Sequence, residues 1–299
     1  MLKRLRLVAA TSLALLVVIT GASAAGAAQT HRSSTCTGTL AHPGLLAGTY
    51  RRGVIVTGVC VVNGGAALIH GDLVLAPGSV LNATFALNDV AGTGRSSLTV
   101  RGDVRVETGA VLAMGCEPNF SPCSDDPNAS KGGTLTGQNR VSGDVRAWQA
   151  LAVIVHAARI GGDVTLHGGG GGVTCAVPST GVFAALHSPV FSDLENNPIR
   201  GNLKIIGLRT CWMGALRNHV HGNLLTVRNT MADSDANEVL ANVVRGSIGC
   251  FGNAPATQYG DSMSSPNKVE GHAFGECAFS VRQPDPSPSG PLTPVSVRI

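Results

Sequence analysis

The chain has 299 residues, with 22 Lys or Arg against 18 Asp or Glu, and only 13% of its residues are charged and 4% aromatic. This near balance excludes the strongly basic surface with which proteins bind phosphate backbones, so we expect no nucleic-acid partner. Gly is frequent, at 39 residues. A core built from small aliphatic side chains is therefore expected.

The N-terminal residues 1–28 have the pattern of a secretory signal peptide. Lys3, Arg4 and Arg6 precede an apolar run over residues 7–19, and small residues follow it. The run is shorter than the roughly 20 residues that span a bilayer. Removal of this peptide leaves 19 basic and 18 acidic residues. The mature chain is predicted to be exported and to have no transmembrane segment.

A short motif recurs along the chain. Its five full copies are Asn139-Arg-Val-Ser-Gly143-Asp-Val, Asn197-Pro-Ile-Arg-Gly201-Asn-Leu, Asn218-His-Val-His-Gly222-Asn-Leu, Asn242-Val-Val-Arg-Gly246-Ser-Ile and Asn267-Lys-Val-Glu-Gly271-His-Ala. Three further segments keep its second half, around Gly71-Asp72, Gly102-Asp103 and Gly162-Asp163. Asn, an aliphatic residue and Gly take alternate positions, which is the period of a strand with one buried face.

The motif glycines recur at intervals near 20 residues or twice that. Such a repeat, with short strands and no helical period, predicts one coil of a parallel β-helix, which buries its apolar face by stacking on its neighbours. Equivalent residues of stacked coils lie about 4.8 Å apart, so the motif asparagines are predicted to form an inward ladder of amides. They are Asn139, Asn197, Asn218, Asn242 and Asn267. A β-sandwich is the alternative, but it gives no reason for Asn to recur four residues before Gly.

These segments also carry a resemblance to known proteins. The Val-x-Gly-Asp-Val segments resemble the right-handed parallel β-helix repeat, and the Asn-x-Val-x-Gly-Asn-Leu form resembles a group of uncharacterised secreted actinobacterial proteins. The coils are distantly similar to those of bactofilin-type polymer-forming proteins, from which the chain departs by its signal peptide, cysteines and long insertions. The resemblance implies a fold and an extracellular location, and no particular activity.

The predicted fold class is all-β, with a single parallel β-solenoid domain over residues 29–281 and capped ends. Residues 29–52 are predicted to cap the open N-terminal edge, which would otherwise pair with other chains. Residues 282–299, rich in Pro and Ser, are predicted to be a disordered tail.

Eight cysteines in an exported chain predict disulfides. A rod keeps residues that are distant in sequence apart, so cysteines of the same or adjacent coils are expected to pair. The predicted pairs are Cys36 with Cys60, Cys116 with Cys123, Cys175 with Cys211, and Cys250 with Cys277.

One loop is a candidate calcium site. Asp233, Asp235 and Asn237 have the alternating oxygen ligands that open a calcium loop, and Glu238 follows them. The Gly at the sixth and the Glu at the twelfth position of an EF-hand are absent from this sequence. Calcium is the one cofactor that the sequence suggests, and no catalytic residue is predicted.

The remaining polar groups are predicted to be structural or solvent-exposed. They are the outward Asp72, Asp103, Asp144 and Asp163; His219 and His221, which lack a third metal ligand; the run Gly168 to Gly172, which lacks a following helix; and Glu117, Asp125, Asp126, Asp193 and Glu195, which are placed in surface insertions.

These features predict an exported structural or binding protein, whose partner is a cell-wall or extracellular glycan or a surface protein. The alternative is a polysaccharide-acting β-helix enzyme, a lyase or a hydrolase, because folds of this kind host such enzymes. The sequence offers no convergent set of acid, base and metal ligands to support it.

Overall fold

The computed structural model describes residues 33–258 and 265–279. The predicted signal peptide and C-terminal tail lie outside the described residues. The strands of the described chain form three parallel sheets of 10, 8 and 9 strands, with one additional two-stranded pair. Within this part of the chain, no helix is long and apolar enough to cross a membrane.

The strands are short and follow one another around the solenoid. In chain order they are β1 Ser34–Cys36, β2 Gly44–Leu45, β3 Gly48–Tyr50, β4 Val54–Val56, β5 Val59–Val61, β6 Ala66–Ile69, β7 Leu73–Leu75, β8 Val80–Ala83, β9 Ser97–Val100, β10 Val104–Val106, β11 Val111–Met114, β12 Arg140–Val141, β13 Val145–Trp148, β14 Ala152–His156, β15 Arg159–Ile160, β16 Val164–His167, β17 Phe191–Glu195, β18 Pro198–Ile199, β19 Leu203–Ile206, β20 Arg209–Thr210, β21 Trp212–Leu216, β22 His219–Val220, β23 Leu224–Val227, β24 Thr230–Met231, β25 Asn237–Leu240, β26 Val243–Val244, β27 Ile248–Phe251, β28 Lys268–Val269 and β29 Ala273–Gly275. A short helix, α1, spans Gly181–Ala185, and 3-10 turns span Ala129–Lys131 and Glu276–Ala278.

Successive strands along the chain belong to the three sheets in turn. Sheet A contains β1, β4, β7, β10, β13, β16, β19, β23, β27 and β29; sheet B contains β2, β5, β8, β11, β14, β17, β21 and β25; sheet C contains β3, β6, β9, β12, β15, β18, β22, β26 and β28. Equivalent positions of the repeat stack in register, so that Val104 of β10 lies between Leu73 of β7 and Val145 of β13. The prediction of an all-β parallel β-helix is confirmed.

The motif builds both the core and the bend of each coil. Val141 and Val145, the aliphatic residues before and after Gly143, are fully buried inside the solenoid. A side chain at Gly143 would meet the Asp103 carboxylate and would lie 2.7 Å from the Gly102 carbonyl oxygen of the coil below. The stacked bends approach so closely that only Gly fits.

The motif asparagines lie at the corner between sheets B and C. The Nδ2 atoms of Asn197, Asn218 and Asn242 each donate to the Oδ1 atom of the asparagine one coil further on, at 2.9 to 3.1 Å, and Asn267 is the last acceptor. Asn139 is separated from this ladder by a coil with an alanine at the corner, and its Oδ1 accepts from the Leu98 N–H at 2.7 Å.

A second asparagine ladder, which the sequence analysis missed, lies at the corner between sheets A and B. Nδ2 of Asn229 donates to Oδ1 of Asn253 at 3.0 Å, and Nδ2 of Asn253 donates to Oε2 of Glu276 at 2.8 Å. The interval from Asn229 to Asn253 equals that from Asn218 to Asn242. That equal spacing is the signal from which the ladder could have been found.

Four disulfides join the cysteines of the described chain, and no cysteine in it is free. They are Cys36–Cys60, Cys116–Cys123, Cys175–Cys211 and Cys250–Cys277, the pairs expected between neighbours. Four disulfides suggest an extracellular protein, because reducing compartments do not maintain them.

Candidate functional site

The four residues of the predicted calcium loop do not converge in the structure. Asp233 and Asp235 lie in an exposed turn, in which the Asp235 N–H donates to Oδ1 of Asp233 at 3.0 Å. Asn237 and Glu238 are consecutive residues of β25, so their side chains lie on opposite faces. Asn237 is buried inside the solenoid, whereas Glu238 accepts a hydrogen bond from Trp212 on the outer face, at 3.0 Å.

The outward aspartates have a structural role. The Asp103 N–H donates to Oδ1 of Asp72 at 3.0 Å, and the Asp144 N–H donates to Oδ1 of Asp103 at 2.9 Å. The same side chain to backbone contact continues at Asp163, Asn202, Asn223 and Ser247. Asn and Ser replace Asp in later coils without breaking this ladder, because the contact requires an oxygen acceptor and not a charge.

The histidine pair lies on the surface, and the glycine run takes part in the backbone hydrogen bonds of the solenoid. Both histidines are exposed, His219 in β22 of sheet C and His221 directly after that strand. The run Gly168 to Gly172 is part of the coil: the Gly170 N–H donates to the Ala150 carbonyl, and the Gly172 N–H donates to the Arg209 carbonyl. These two backbone groups are therefore used within the protein.

Two insertions cover the outer face of sheet B. Residues 168–190 carry α1, whose Phe183 packs against Ile154 of β14 and Phe191 of β17, and a disulfide ties this insertion to the following coil. Residues 115–138 follow β11 and contain a disulfide of their own. Consequently β14 and β17 are buried on both faces.

Beneath these insertions lies a group of five charged or titratable side chains, here called the buried ionic cluster: Glu117, His156, Asp193, Glu195 and Arg217. His156 ends β14 and lies beside Glu195 of β17. Its Nε2 atom is 3.3 Å from Oδ2 of Asp193, and its Nδ1 atom is 3.5 Å from Oε2 of Glu195 and 3.9 Å from Oε1 of Glu117. Arg217 lies 2.6 Å from Oε2 of Glu195.

The centre of the cluster is buried and incompletely hydrogen-bonded, whereas Glu117 and Arg217 at its edge are partly exposed. The His156 side chain is only 2% exposed, yet neither of its ring nitrogens has a hydrogen-bond partner. Oδ1 of Asp193 and Nε of Arg217 are also buried without a partner. Buried polar groups are nearly always satisfied, so this concentration of unsatisfied atoms needs an explanation.

Two corner residues extend over the cluster. Asn196 and Arg217 have φ angles of 55° and 53°, a conformation that the sharp bend between sheets B and C imposes. Asn196 donates from Nδ2 to Oε1 of Glu117. The Arg217 guanidinium lies 3.7 Å above the centre of the Phe120 ring. Both side chains thereby hold the 115–138 insertion against the strands.

The protonation of the cluster departs from that of exposed side chains. Burial disfavours the charged form of His156, but Asp193, Glu117 and Glu195 outweigh that effect and raise the pKa of His156 well above its ordinary value. Burial, with the negative charge of Glu195, raises the pKa of Asp193 to about 7. Burial alone would raise the pKa of Glu195 too, but His156 and Arg217 lower it.

Three carboxylates in the cluster face one guanidinium and one imidazole. Even with His156 protonated, the cluster keeps one excess negative charge if every carboxylate is ionised. An uncompensated buried charge costs several kcal/mol. A proton on Asp193 or a bound cation would remove the excess.

The assignment of Asp193 and Glu195 to a surface insertion is wrong. Both belong to β17, they are 7% and 5% exposed, and they lie outside the solenoid wall but under the insertions. The signal that could have indicated this cover is the apolar character of other outward positions of sheet B, among them Ile154, Phe191 and Trp212. Large apolar side chains at outward positions indicate a face that another segment covers or that binds a partner.

A second feature lies on the outer face of sheet A, which no insertion covers in the described residues. Five outward side chains stack in register along this face, here called the outer stripe: Trp148, His167, Ile206, Val227 and Phe251. The rings of Trp148 and His167 stack at 4.4 Å. Trp148 is 55% and Phe251 45% exposed. Apart from His167 the stripe is apolar, and it is aromatic at both ends.

An open groove of about 400 Å³ flanks the C-terminal end of the stripe. Its lining includes Leu225, Phe251 and Phe274 and, along one edge, Asn202, Lys204, Asn223 and Ser247. Gly249 forms part of its floor, and a side chain there would lie 2.8 Å from Cε2 of Phe251. The absence of a side chain at Gly249 therefore lets the Phe251 ring fold over the sheet.

Comparisons of the chain with protein-family models, with curated proteins and with solved structures found no match. The resemblance to secreted actinobacterial proteins and to bactofilins therefore stays a prediction.

Proposed function

We propose that the protein is exported and uses its rigid solenoid to bind an uncharged, extended polysaccharide of the cell wall or the extracellular space along sheet A. The observation that carries the proposal is the outer stripe with its adjoining groove. Four disulfides and the predicted signal peptide over residues 1–28 support the location.

The residues of the face fit a sugar polymer in two respects. Exposed aromatic rings offer flat apolar surfaces to the faces of sugar rings, and a contiguous exposed apolar patch commonly marks a binding site. The amide and hydroxyl groups of Asn202, Asn223 and Ser247 line one edge of the groove. Their oxygens accept the hydrogen bonds of the ladder, but each group has a further N–H or O–H hydrogen with which it can bond a sugar hydroxyl. A stripe along the solenoid axis suits an extended ligand better than a compact one.

Charge on the same face favours an uncharged ligand. The cations there are already paired: Lys204 lies 3.4 Å from Oδ2 of Asp163, and Arg146 lies 2.7 Å from Oδ2 of Asp103. Paired surface charges give no strong field to attract a polyanion.

Binding is tested by sedimenting the mature, disulfide-bonded protein with insoluble cellulose, chitin, xylan and peptidoglycan. We expect retention on at least one neutral glycan, and at least a tenfold loss of affinity in the double variant Trp148→Ala, Phe251→Ala. Phe279→Ala is the matched control, since this ring is 68% exposed but lies outside the stripe and the groove. Equal binding by all three proteins, or no binding to any glycan, would contradict the proposal.

The second candidate is a polysaccharide lyase or hydrolase, favoured by the buried ionic cluster because catalytic acids have raised pKa values such as that of Asp193. The closed position of His156 argues against it, since a substrate must reach the reacting groups. We expect no new reducing ends from any of these glycans, and no unsaturated products from pectate or alginate, whose uronate residues a lyase would require. Turnover that disappears in Asp193→Asn would establish the enzyme instead.

A further inference from the structure

The buried ionic cluster joins residues from three different coils and one insertion, and the stripe on sheet A does not involve any of them. Its central side chain, His156, is almost completely buried, faces carboxylates from both ring nitrogens and has a hydrogen bond from neither. A neutral imidazole always has one nitrogen with a lone pair. In this cluster that lone pair would face a carboxylate, so either a second ring proton or a bound cation must lie between them. Two carboxylates, Glu117 and Glu195, converge on Nδ1, which is the arrangement of a cation site.

We propose that the cluster holds a divalent transition-metal ion, of which zinc fits best, bound by Nδ1 of His156 and by the carboxylates of Glu117 and Glu195. The ligand atoms of these three residues all lie within 4.8 Å of one another. The site is independent of the proposed glycan binding.

The distances suit a small ion. Zinc bonds of about 2.0 to 2.1 Å in tetrahedral geometry place ligand atoms roughly 3.3 Å apart. Nδ1 of His156 already lies 3.5 Å from Oε2 of Glu195, and Oε1 of Glu117 is 3.9 Å from the same nitrogen. Binding therefore needs Glu117 to move roughly half an ångström towards His156 and also towards Glu195, whose ligand atom lies within 4.8 Å of it. Glu117 belongs to an insertion and not to a strand.

The surroundings of the three ligands fit the same assignment. A histidine that binds metal through one nitrogen commonly donates its other N–H to a carboxylate, and Oδ2 of Asp193 lies 3.3 Å from Nε2. Asn196 and Arg217 donate to Glu117 and Glu195 respectively, which fixes the ligand carboxylates.

The charges balance with the metal in place. A divalent ion compensates Glu117 and Glu195, the imidazole is neutral, and Arg217 compensates Asp193. The mixture of imidazole and carboxylate ligands favours zinc or manganese over calcium, which takes a shell of oxygens. With three protein ligands, the ion would keep one position for water.

The mature protein would be produced with zinc in the medium, dialysed, and assayed for metal by mass spectrometry. Cobalt added to the protein after EDTA treatment and removal of the chelator gives a visible absorption spectrum as a second readout. We expect one zinc per chain, a lower melting temperature after metal removal, and a cobalt spectrum of four-coordinate type. Calcium should not replace zinc.

Variants identify the site. Glu117→Gln removes a ligand from the insertion without altering a strand, and we expect at least tenfold weaker zinc binding. Asp193→Asn should weaken it 10- to 100-fold, as loss of an orienting carboxylate does. Glu107→Gln, outside the cluster, is the control. Circular dichroism and disulfide mapping would verify that each variant is folded.

The proposal would be overturned if the wild-type protein contained less than a tenth of a zinc per chain and EDTA did not change its melting temperature. A proton would then be the compensating charge. Zinc bound equally by Glu117→Gln and by the wild type would also overturn it, because the metal would then lie elsewhere.

Discussion

A single asparagine shows how the repeat is held together. The side chain of Asn218 makes four hydrogen bonds: Nδ2 donates to the Leu194 carbonyl at 2.7 Å and to Oδ1 of Asn242 at 3.1 Å, while Oδ1 accepts from N and Nδ2 of Asn197 at 3.1 and 3.0 Å. Asp lacks the donor and Ser lacks the reach. A corner between two sheets has backbone groups that neither sheet can pair, and the amide supplies both partners.

Replacing Asn218 by Ala should destabilise the protein by about 1 to 3 kcal/mol, because the Leu194 carbonyl and the Asn197 N–H lose partners in a buried corner. Arg245, exposed on a neighbouring coil, should tolerate Ala with little change. Chemical denaturation of both variants measures the difference. A larger loss for Arg245→Ala would mean that the inward and outward faces are assigned wrongly.

Glu276 ends the second ladder and makes it sensitive to acid. Burial alone would raise the pKa of Glu276, but hydrogen bonds from Asn253 and Thr257 outweigh burial and lower it below 4.5. A lowered pKa means that the ionised group stabilises the folded state above pH 4.5, and that this contribution is lost as the pH falls through the folded pKa. Melting temperatures of the wild type and Glu276→Gln should therefore converge as the pH falls from 6 to 3. A gap that stays constant over this range would contradict the role of the carboxylate.

At the scale of elements, the insertion over residues 168–190 depends on the bond between Cys175 and Cys211, which are 36 residues apart. Replacing both cysteines by Ala should cost about 3 to 4 kcal/mol by the loop-entropy estimate. It should also release α1 and raise hydrogen exchange in β14 and β17. If hydrogen exchange in β14 and β17 did not rise, the position of the insertion would not depend on the disulfide.

The coil could be predicted from the sequence, and the buried ionic cluster could not. The inward Val, Gly and Asn positions repeat because every coil packs in the same way against its neighbours. The period of the sequence therefore predicts them. His156, Asp193 and Glu195 occupy outward strand positions, where polar residues are ordinary. They become buried only because two insertions fold back over sheet B, and the path of an insertion depends on contacts such as that of Phe183 with Ile154, which have no period to detect.

At the scale of the whole molecule, each coil contacts its neighbours and little else, so stability should be a sum of local contributions. The disulfides follow this organisation, with sequence separations of 24, 7, 36 and 27 residues. Cys36–Cys60 joins β1 to β5 at one end of the described solenoid, and Cys250–Cys277 joins β27 to the last 3-10 turn at the other end. The coils between them are held by their core and by the ladders, and the other two disulfides fix the insertions over sheet B.

Removal of both terminal disulfides, by Cys to Ala replacement at Cys36, Cys60, Cys250 and Cys277, should therefore open the end coils first. A terminal coil has one stacking neighbour, whereas a central coil has two. Once its disulfide is removed, a terminal coil therefore has a lower free energy of local unfolding than a central coil. Hydrogen exchange followed by mass spectrometry should show faster exchange in β1–β3 and β27–β29, and unchanged protection in β10–β19. The variant lacking Cys116–Cys123, whose 7-residue loop lies in an insertion, is the control and should leave the ends protected. Simultaneous loss of protection in all coils would mean that the solenoid unfolds as one cooperative unit and that its stability is not a sum of local terms.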